Sequence, residues 1–177
     1  MTHKRLVNLL LSAMFLALCL VLPFLTGQIP EIGAALSPMH IPVLICGFVC
    51  GWPYAALVGF IAPLLRTLLF GMPPFPTVAV PMAFELMAYG FFSGLIYQLL
   101  KKTTVNIYVS LIGAMLLGRV VWGVAKYIFA LLTDSAFTLQ MYLAGGFIEA
   151  VPALILHIAL IPVIVIALKK AKLIPNE

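Results

Sequence analysis

Five ionisable side chains lie inside the long apolar runs of this sequence, where a charge is costly to place. They are Arg66, Glu85, Arg119, Lys126 and Glu149. At the middle of a lipid-facing helix, each would cost about 2.5–3.5 kcal/mol, so these residues are expected to face protein groups or water. Two arrangements would accommodate them: a structural network of ion pairs, or a polar pocket that binds a solute.

The stretch GRVVWGVAKY, residues 118–127, carries two of these cations. Arg119, Trp122 and Lys126 are separated by three, four and seven positions, and such offsets return to one side of a helix. We therefore predict that this helix face points into the interior of a bundle and meets something polar there.

The structural interpretation pairs Arg66 with one of Glu85 and Glu149, and Lys126 with the other. In the pocket interpretation, three cations face two carboxylates, and the surplus positive charge suits an anionic or zwitterionic solute. His40 could close over such a pocket or cap the following helix, whereas His157 is expected to be a packing residue. Apolar pocket walls could come from aromatic side chains, namely Trp52, Phe84, Tyr89, Trp122 and Tyr127.

Enzymatic chemistry has little support in this sequence. It contains no nucleophile–base–acid set, no phosphate-binding loop and no metal-spaced cluster of His and Cys, so neither a cofactor nor a metal is expected. Cys19, Cys46 and Cys50 lie in apolar stretches and are expected to be small core residues.

The composition identifies the kind of protein that must position these groups. Hydrophobic residues make up 64% of the chain and charged residues only 8%, against about 25% charged residues in soluble domains. The mean hydropathy is +1.21. We predict an integral membrane protein formed by one domain, residues 1–177, which lies almost entirely in or against the lipid bilayer.

A helix crosses the hydrocarbon core with about 20 residues, and four runs have that length. The first is expected to be retained as a span because it lacks a small-x-small cleavage site. A further run, 41–70, is interrupted by Gly51-Trp52-Pro53, and proline removes a backbone donor inside a helix, so two shorter helices are predicted there. The predicted helices are 6–25, 41–50, 53–70, 78–100, 105–132 and 142–168.

The basic residues decide the topology. Most of the ten Lys and Arg residues flank hydrophobic runs, at Lys4–Arg5, Lys101–Lys102 and Lys169–Lys172. Six segments place all three clusters on one side, and the opposite loops then carry no Lys or Arg. The prediction is an all-α membrane protein, a six-helix transmembrane bundle with both termini cytoplasmic; the net charge of +5 reports this topology and not a nucleic-acid partner.

With this orientation, Arg66, Glu85, Lys126 and Glu149 lie within roughly 6–11 Å of the outer boundary, at 1.5 Å per residue. Arg119 is two turns deeper. The embedded charges are therefore predicted to form a layer that opens toward the outside.

A resemblance to a known family rests on two further stretches. The first predicted helix contains AMFLA, residues 13–17, which places two small side chains one turn apart, and the run LSPMHIPVLICGFVCGWPYAALVGFIAPLLRTLLFG follows a long outer loop. With six segments and a basic amino terminus, the chain resembles a substrate-binding S component of the energy-coupling factor (ECF) vitamin transporters.

The resemblance implies a protein that captures a vitamin from outside and then docks on a transmembrane coupling subunit driven by two ATPase subunits. It maps the docking face onto Ala13 and Ala17 and the substrate pocket beneath loop 26–40. It also implies a location in the prokaryotic plasma membrane as a multi-pass protein.

The sequence thus leads to one main hypothesis and two rivals. The hypothesis is a solute-binding subunit for a carboxylate-bearing vitamin. Pantothenate is the first candidate substrate, and folate, riboflavin and cobalamin are also possible. Its expected substrate-binding residues are His40, Arg66, Glu85, Arg119, Trp122, Lys126 and Glu149. The rivals are a self-sufficient small carrier or channel, and a membrane enzyme that uses Glu85 and Glu149 as acid and base.

Overall fold

Helices are the only regular secondary structure among the residues that the computed structural model describes, which are 3–26, 33 and 35–174. These residues form six helices, in agreement with the predicted fold class. The helices are α1 (His3–Val21), α2 (His40–Cys50), α3 (Trp52–Phe70), α4 (Ala79–Leu99), α5 (Thr104–Leu132) and α6 (Leu139–Lys170). Of loop 26–40, beneath which the substrate pocket is expected and which is predicted to gate entry to it, residues 27–32 and 34 lie outside the described part.

Five of the helices are long and apolar enough to cross a membrane, and α2 is the short one. All residues of α2 except Ile41 are buried, and the helix packs against α1, α3, α4 and α6. A helix of 11 residues is too short to cross the hydrocarbon core, and burial among its neighbours removes its surface from lipid.

The predicted break between α2 and α3 is confirmed at Gly51. The φ angle of Gly51 is 89°, a conformation that glycine adopts without a steric penalty. Pro53 lies in the first turn of α3, where its missing N–H group would have had no helical acceptor.

Glycines bring the backbones of α3 and α4 into direct contact. A Cβ atom on Gly59 would lie 2.2 Å from the Leu86 carbonyl oxygen, and one on Gly90 would lie 2.4 Å from that of Ala55. Such close approach gains packing contact that lipid cannot replace. It also fixes the position of Glu85, which precedes Leu86 on α4.

The predicted last helix, 142–168, needs a correction. α6 begins at Leu139 and contains a π-helical turn, Ala144–Ile148, before its regular part, Val151–Lys170. The Glu149 N–H group donates to the Ala144 carbonyl at 2.9 Å, five residues back. The adjacent Gly145 and Gly146 favour regular helix poorly, and π-turns occur often at functional sites.

The two ends of the bundle differ in charge. At the basic end, Lys169 Nζ donates to the Lys102 carbonyl at 2.5 Å, and the Asn8 amide donates to the Cys50 carbonyl at 3.4 Å. The opposite end, here called the loop end, carries the described residues 33, 35–39, 71–78 and 133–138, which include no Lys or Arg. This asymmetry agrees with the predicted topology, and the side on which the termini lie stays a prediction.

Candidate functional site

A cavity of about 990 Å³ lies at the loop end of the bundle. Its walls come from the chain after α1, from residues 33 and 35–40, from the α3–α4 connection and from facing sides of α3, α4, α5 and α6. Its size is within the range of about 300–1,000 Å³ that is usual for small-molecule sites.

All but one of the predicted substrate-binding residues line this cavity, namely His40, Arg66, Glu85, Arg119, Trp122 and Glu149. Lys126 is the exception, because its Nζ donates to the Thr77 carbonyl at 3.0 Å. Two arginines and two glutamates therefore line the cavity, and the expected surplus of one positive charge is not found among the described lining residues.

His40, Glu85 and Arg119 form a polar cluster, here called the floor. Arg119 Nη1 lies 2.8 Å from Glu85 Oε1, and His40 Nε2 lies 3.7 Å from the same oxygen. The three residues are 3%, 3% and 7% exposed, respectively. The structural interpretation had paired Glu85 with Arg66 or Lys126, and that assignment is wrong, since Arg119 is its partner.

Close packing of α4 on α5 allows the ion pair to form. A Cβ atom on Gly118 would lie 2.0 Å from the Tyr89 ring, so the ring rests directly on the backbone of α5. Glu85, one turn before Tyr89, and Arg119, directly after Gly118, are thereby held at adjacent positions on the two helices.

The floor retains unused hydrogen-bonding capacity. Within the described part of the chain, both ring nitrogens of His40 and the Arg119 Nε have no hydrogen-bond partner. A buried polar atom left unpaired costs about 1–3 kcal/mol. All three atoms are covered by protein, and the residues that carry them, His40 and Arg119, line the cavity.

His157 supports the floor from below and is absent from the cavity lining. It is 2% exposed, and its ring lies 6.0 Å from that of His40 at an interplanar angle of 22°. This placement agrees with the packing role expected for it. Tyr89 also packs against His40, with ring centroids 5.2 Å apart.

Arg66 belongs to a different part of the wall, one turn before the end of α3. Its guanidinium carbon lies 4.9 Å from the Phe24 ring centroid and 5.3 Å from that of Phe70. It also donates a hydrogen bond to the Leu20 carbonyl. Aromatic faces attract a guanidinium and restrict its orientation.

The wall of the cavity that α5 and α6 form carries Trp122 and Glu149. The indole of Trp122 lies over the glycines of the π-turn, since a Cβ atom on Gly145 would be 3.3 Å from it and one on Gly146 3.4 Å. Glu149 follows this turn and is exposed. The π-turn thus allows the indole to pack against the backbone of α6 beside the cavity.

Comparison with known protein families identifies the family of this chain. The family model described as ECF transporter, substrate-specific component, matches residues 7–168. The chain belongs to this family. No curated protein and no solved structure matches it.

The protein is therefore an S component, which binds a substrate for uptake as part of an ECF transporter in the cell membrane. S components are transport binding proteins and not enzymes, so the rival in which Glu85 and Glu149 act as acid and base is wrong. The family also implies partners from the ECF module.

The predicted docking residues of the S component lie on the outside of the bundle. Ala13 and Ala17 are exposed, whereas α1 buries Asn8, Ser12, Phe15 and Cys19 on its other side. The face with the two alanines is thus available to another membrane protein.

The expected aromatic walls are present only in part. Trp122 lines the cavity, but Trp52 packs on Phe91 at the basic end and Phe84 packs on Phe60. Tyr127 borders a separate apolar groove on α5. Sequence reasoning missed the contribution of the α3–α4 connection, where Met72, Pro73 and Pro74 line the cavity. The signal that could have found it is the cluster of prolines in this connection.

Proposed function

We propose that this S component captures a small carboxylate-bearing vitamin from outside the cell, with pantothenate as the first candidate. The observation that carries the proposal is a cavity of about 990 Å³ that combines an arginine held by neutral groups with a buried polar floor. Folate and riboflavin are the next candidates. Cobalamin, by far the largest of the four, suits this volume least.

Arg66 is the proposed contact for the vitamin's carboxylate. A guanidinium presents five donors and binds carboxylates in a bidentate manner. In the described chain no carboxylate lies within ion-pair distance of Arg66, and its hydrogen bond goes to the neutral Leu20 carbonyl. The rings of Phe24 and Phe70 hold the group in place before the substrate arrives.

The α5–α6 wall supplies complementary contacts in this proposal. Trp122 offers an apolar face, and the exposed carboxylate of Glu149 can accept hydrogen bonds from hydroxyl or amide groups. Pantothenate has a carboxylate at one end and hydroxyl and amide groups elsewhere, so its chemistry matches both walls.

Transport itself would depend on partners. We propose that the exposed face with Ala13 and Ala17 docks on a transmembrane coupling subunit that two ATPase subunits drive. The exposed alanines suit this role, because small side chains allow close approach of a second helix within the membrane.

Equilibrium binding of radiolabelled pantothenate to the purified protein tests the proposal. Arg66→Gln should weaken binding by about 30-fold, the loss expected for a hydrogen-bonded charge pair. Lys126→Gln is the matched control, since it removes a cation from the same end of the bundle but outside the cavity. Absence of binding for pantothenate, folate and riboflavin, or equal losses in the two variants, would overturn the proposal.

A further inference from the structure

We propose that the floor formed by His40, Glu85 and Arg119 receives an uncharged part of the substrate that both donates and accepts hydrogen bonds, such as a hydroxyl, an amide or the lactam edge of a heterocycle. The substrate's ionised group would remain at Arg66. This inference rests on the proposed function and narrows the class of substrate.

The two charges of the Arg119–Glu85 pair in the floor cancel each other. Arg119 and Glu85 are 2.8 Å apart and both are buried, so each neutralises the other in a region from which water is largely excluded. A substrate carboxylate placed there would compete with Glu85 for Arg119. An ammonium group would compete with Arg119 for Glu85. Either would leave an ionised group without a counter-charge, which is strongly unfavourable in a buried site.

Hydrogen-bonding capacity, in contrast, is left over. A neutral imidazole has one donor and one acceptor nitrogen, and the guanidinium Nε is a donor. In the part of the chain that the structure describes, none of these atoms on His40 and Arg119 has a hydrogen-bond partner. His40 is 3% exposed and lines the cavity, so the cavity is the side from which a substrate group would reach its ring. A group with both a donor and an acceptor satisfies them together.

The position of His40 is well defined, which suits a recognition group. Its ring is stacked on His157 and contacts the edge of Tyr89. These two neighbouring rings restrict rotation about its side-chain bonds, and a group already held in place loses little entropy when a ligand binds.

Variants that change the charge balance of the floor test this inference, because the direction in which the substrate affinity changes depends on the charge of the bound group. Isothermal titration calorimetry with pantothenate, folate and riboflavin would be carried out on Glu85→Gln, Arg119→Gln and the double variant. If the floor receives an uncharged group, each single variant leaves an unpaired buried charge and weakens binding by about tenfold or more, while the double variant binds more tightly than either single variant.

The opposite results would overturn the inference and leave the proposed function intact. If the floor held the substrate's anionic group, Glu85→Gln would remove a competitor and tighten binding. If it held a cationic group, Arg119→Gln would tighten binding. Additive losses in the double variant would also count against an uncharged group. Failure of all three vitamins to bind the unmodified protein would instead overturn the proposed function and, with it, this inference.

A second experiment needs no substitution of Glu85 or Arg119, so it remains informative if those variants do not fold. Pantothenol carries a hydroxymethyl group in place of the pantothenate carboxylate. The unmodified protein should prefer pantothenate by about tenfold or more, and Arg66→Gln should abolish that preference. His40→Ala should weaken both compounds equally and keep the preference. Loss of the preference in His40→Ala would place the carboxylate at the floor and overturn the inference.

Discussion

The guanidinium of Arg119 lies 2.8 Å from the carboxylate of Glu85 inside the cavity of this S component. The pair joins α4 to α5, and its two charges cancel each other. Arg66, on the neighbouring helix α3, is held by aromatic rings and a backbone carbonyl. Arg119 is thus paired with a carboxylate, whereas Arg66 is held by neutral groups, and this difference leads to the substrate class proposed above.

Loss of one partner of this pair should destabilise the fold. Glu85→Gln should lower the free energy of unfolding by about 3 kcal/mol, because Arg119 would remain buried without a counter-charge. The double variant Glu85→Gln/Arg119→Gln should lose less than Glu85→Gln alone. Thermal unfolding of the detergent-solubilised proteins checks this, and equal or greater loss in the double variant would show that the two residues are not energetically coupled.

The space between α3 and α4 should tolerate an added methyl group less well than the space around Gly113 on α5. Gly59→Ala would place a Cβ atom 2.2 Å from the Leu86 carbonyl oxygen, so the helices must separate, at a cost of about 3 kcal/mol. Gly113→Ala is the matched control, since its Cβ atom would meet only the flexible end of the Ile96 side chain, at 3.2 Å. Equal melting temperatures for the two variants would contradict the close contact.

The π-turn should control how far Trp122 projects into the cavity. Gly145→Val adds a branched side chain where even a Cβ atom would lie 3.3 Å from the indole, so it should weaken substrate binding by about tenfold through the displaced ring. In a Trp122→Ala background the same substitution should have little further effect. Full additivity of the two losses in calorimetric titrations would mean that Gly145 acts independently of Trp122.

Substitutions on the exposed face of α1 should prevent docking on the partner subunit without changing substrate binding. Ala13→Leu with Ala17→Leu should leave substrate affinity unchanged but abolish ATP-driven uptake in liposomes that contain the complete transporter, because bulky side chains keep a partner helix away. Ala159→Leu, at an exposed position of α6, is the control and should transport normally. Normal uptake by the α1 variant would remove these alanines from the docking face.

The rival of a self-sufficient carrier makes a different prediction. Liposomes that contain this chain alone should bind substrate without accumulating it, since membership of the S-component family implies that uptake needs partners from the ECF module. Accumulation by the chain alone, driven by an ion gradient, would support the rival.

Much of this architecture could be predicted because its causes are local in sequence. The lengths of the apolar runs predicted the membrane spans. The triplet Gly51-Trp52-Pro53 predicted the break between α2 and α3, which the structure places at Gly51. The cost of burying charge indicated that Arg66, Glu85, Arg119 and Glu149 would face inward, and all four line the cavity.

What escaped prediction depends on contacts between distant residues. The partner of Glu85 could not be deduced, because it depends on the contact that Gly118 allows between α4 and α5. Lys126 shares a helix face with Arg119 and Trp122, but its long side chain reaches the Thr77 carbonyl instead. The π-turn was missed because a regular 3.6-residue period was assumed through Gly145 and Gly146.

The most direct test of the central claim is mass spectrometry of the small molecule that copurifies with the detergent-solubilised protein. The account predicts one carboxylate-bearing vitamin, pantothenate first, at about one molecule per chain in the unmodified protein and in Lys126→Gln, and its depletion in Arg66→Gln. No copurifying vitamin, one without a carboxylate, or equal amounts in all three proteins would contradict it.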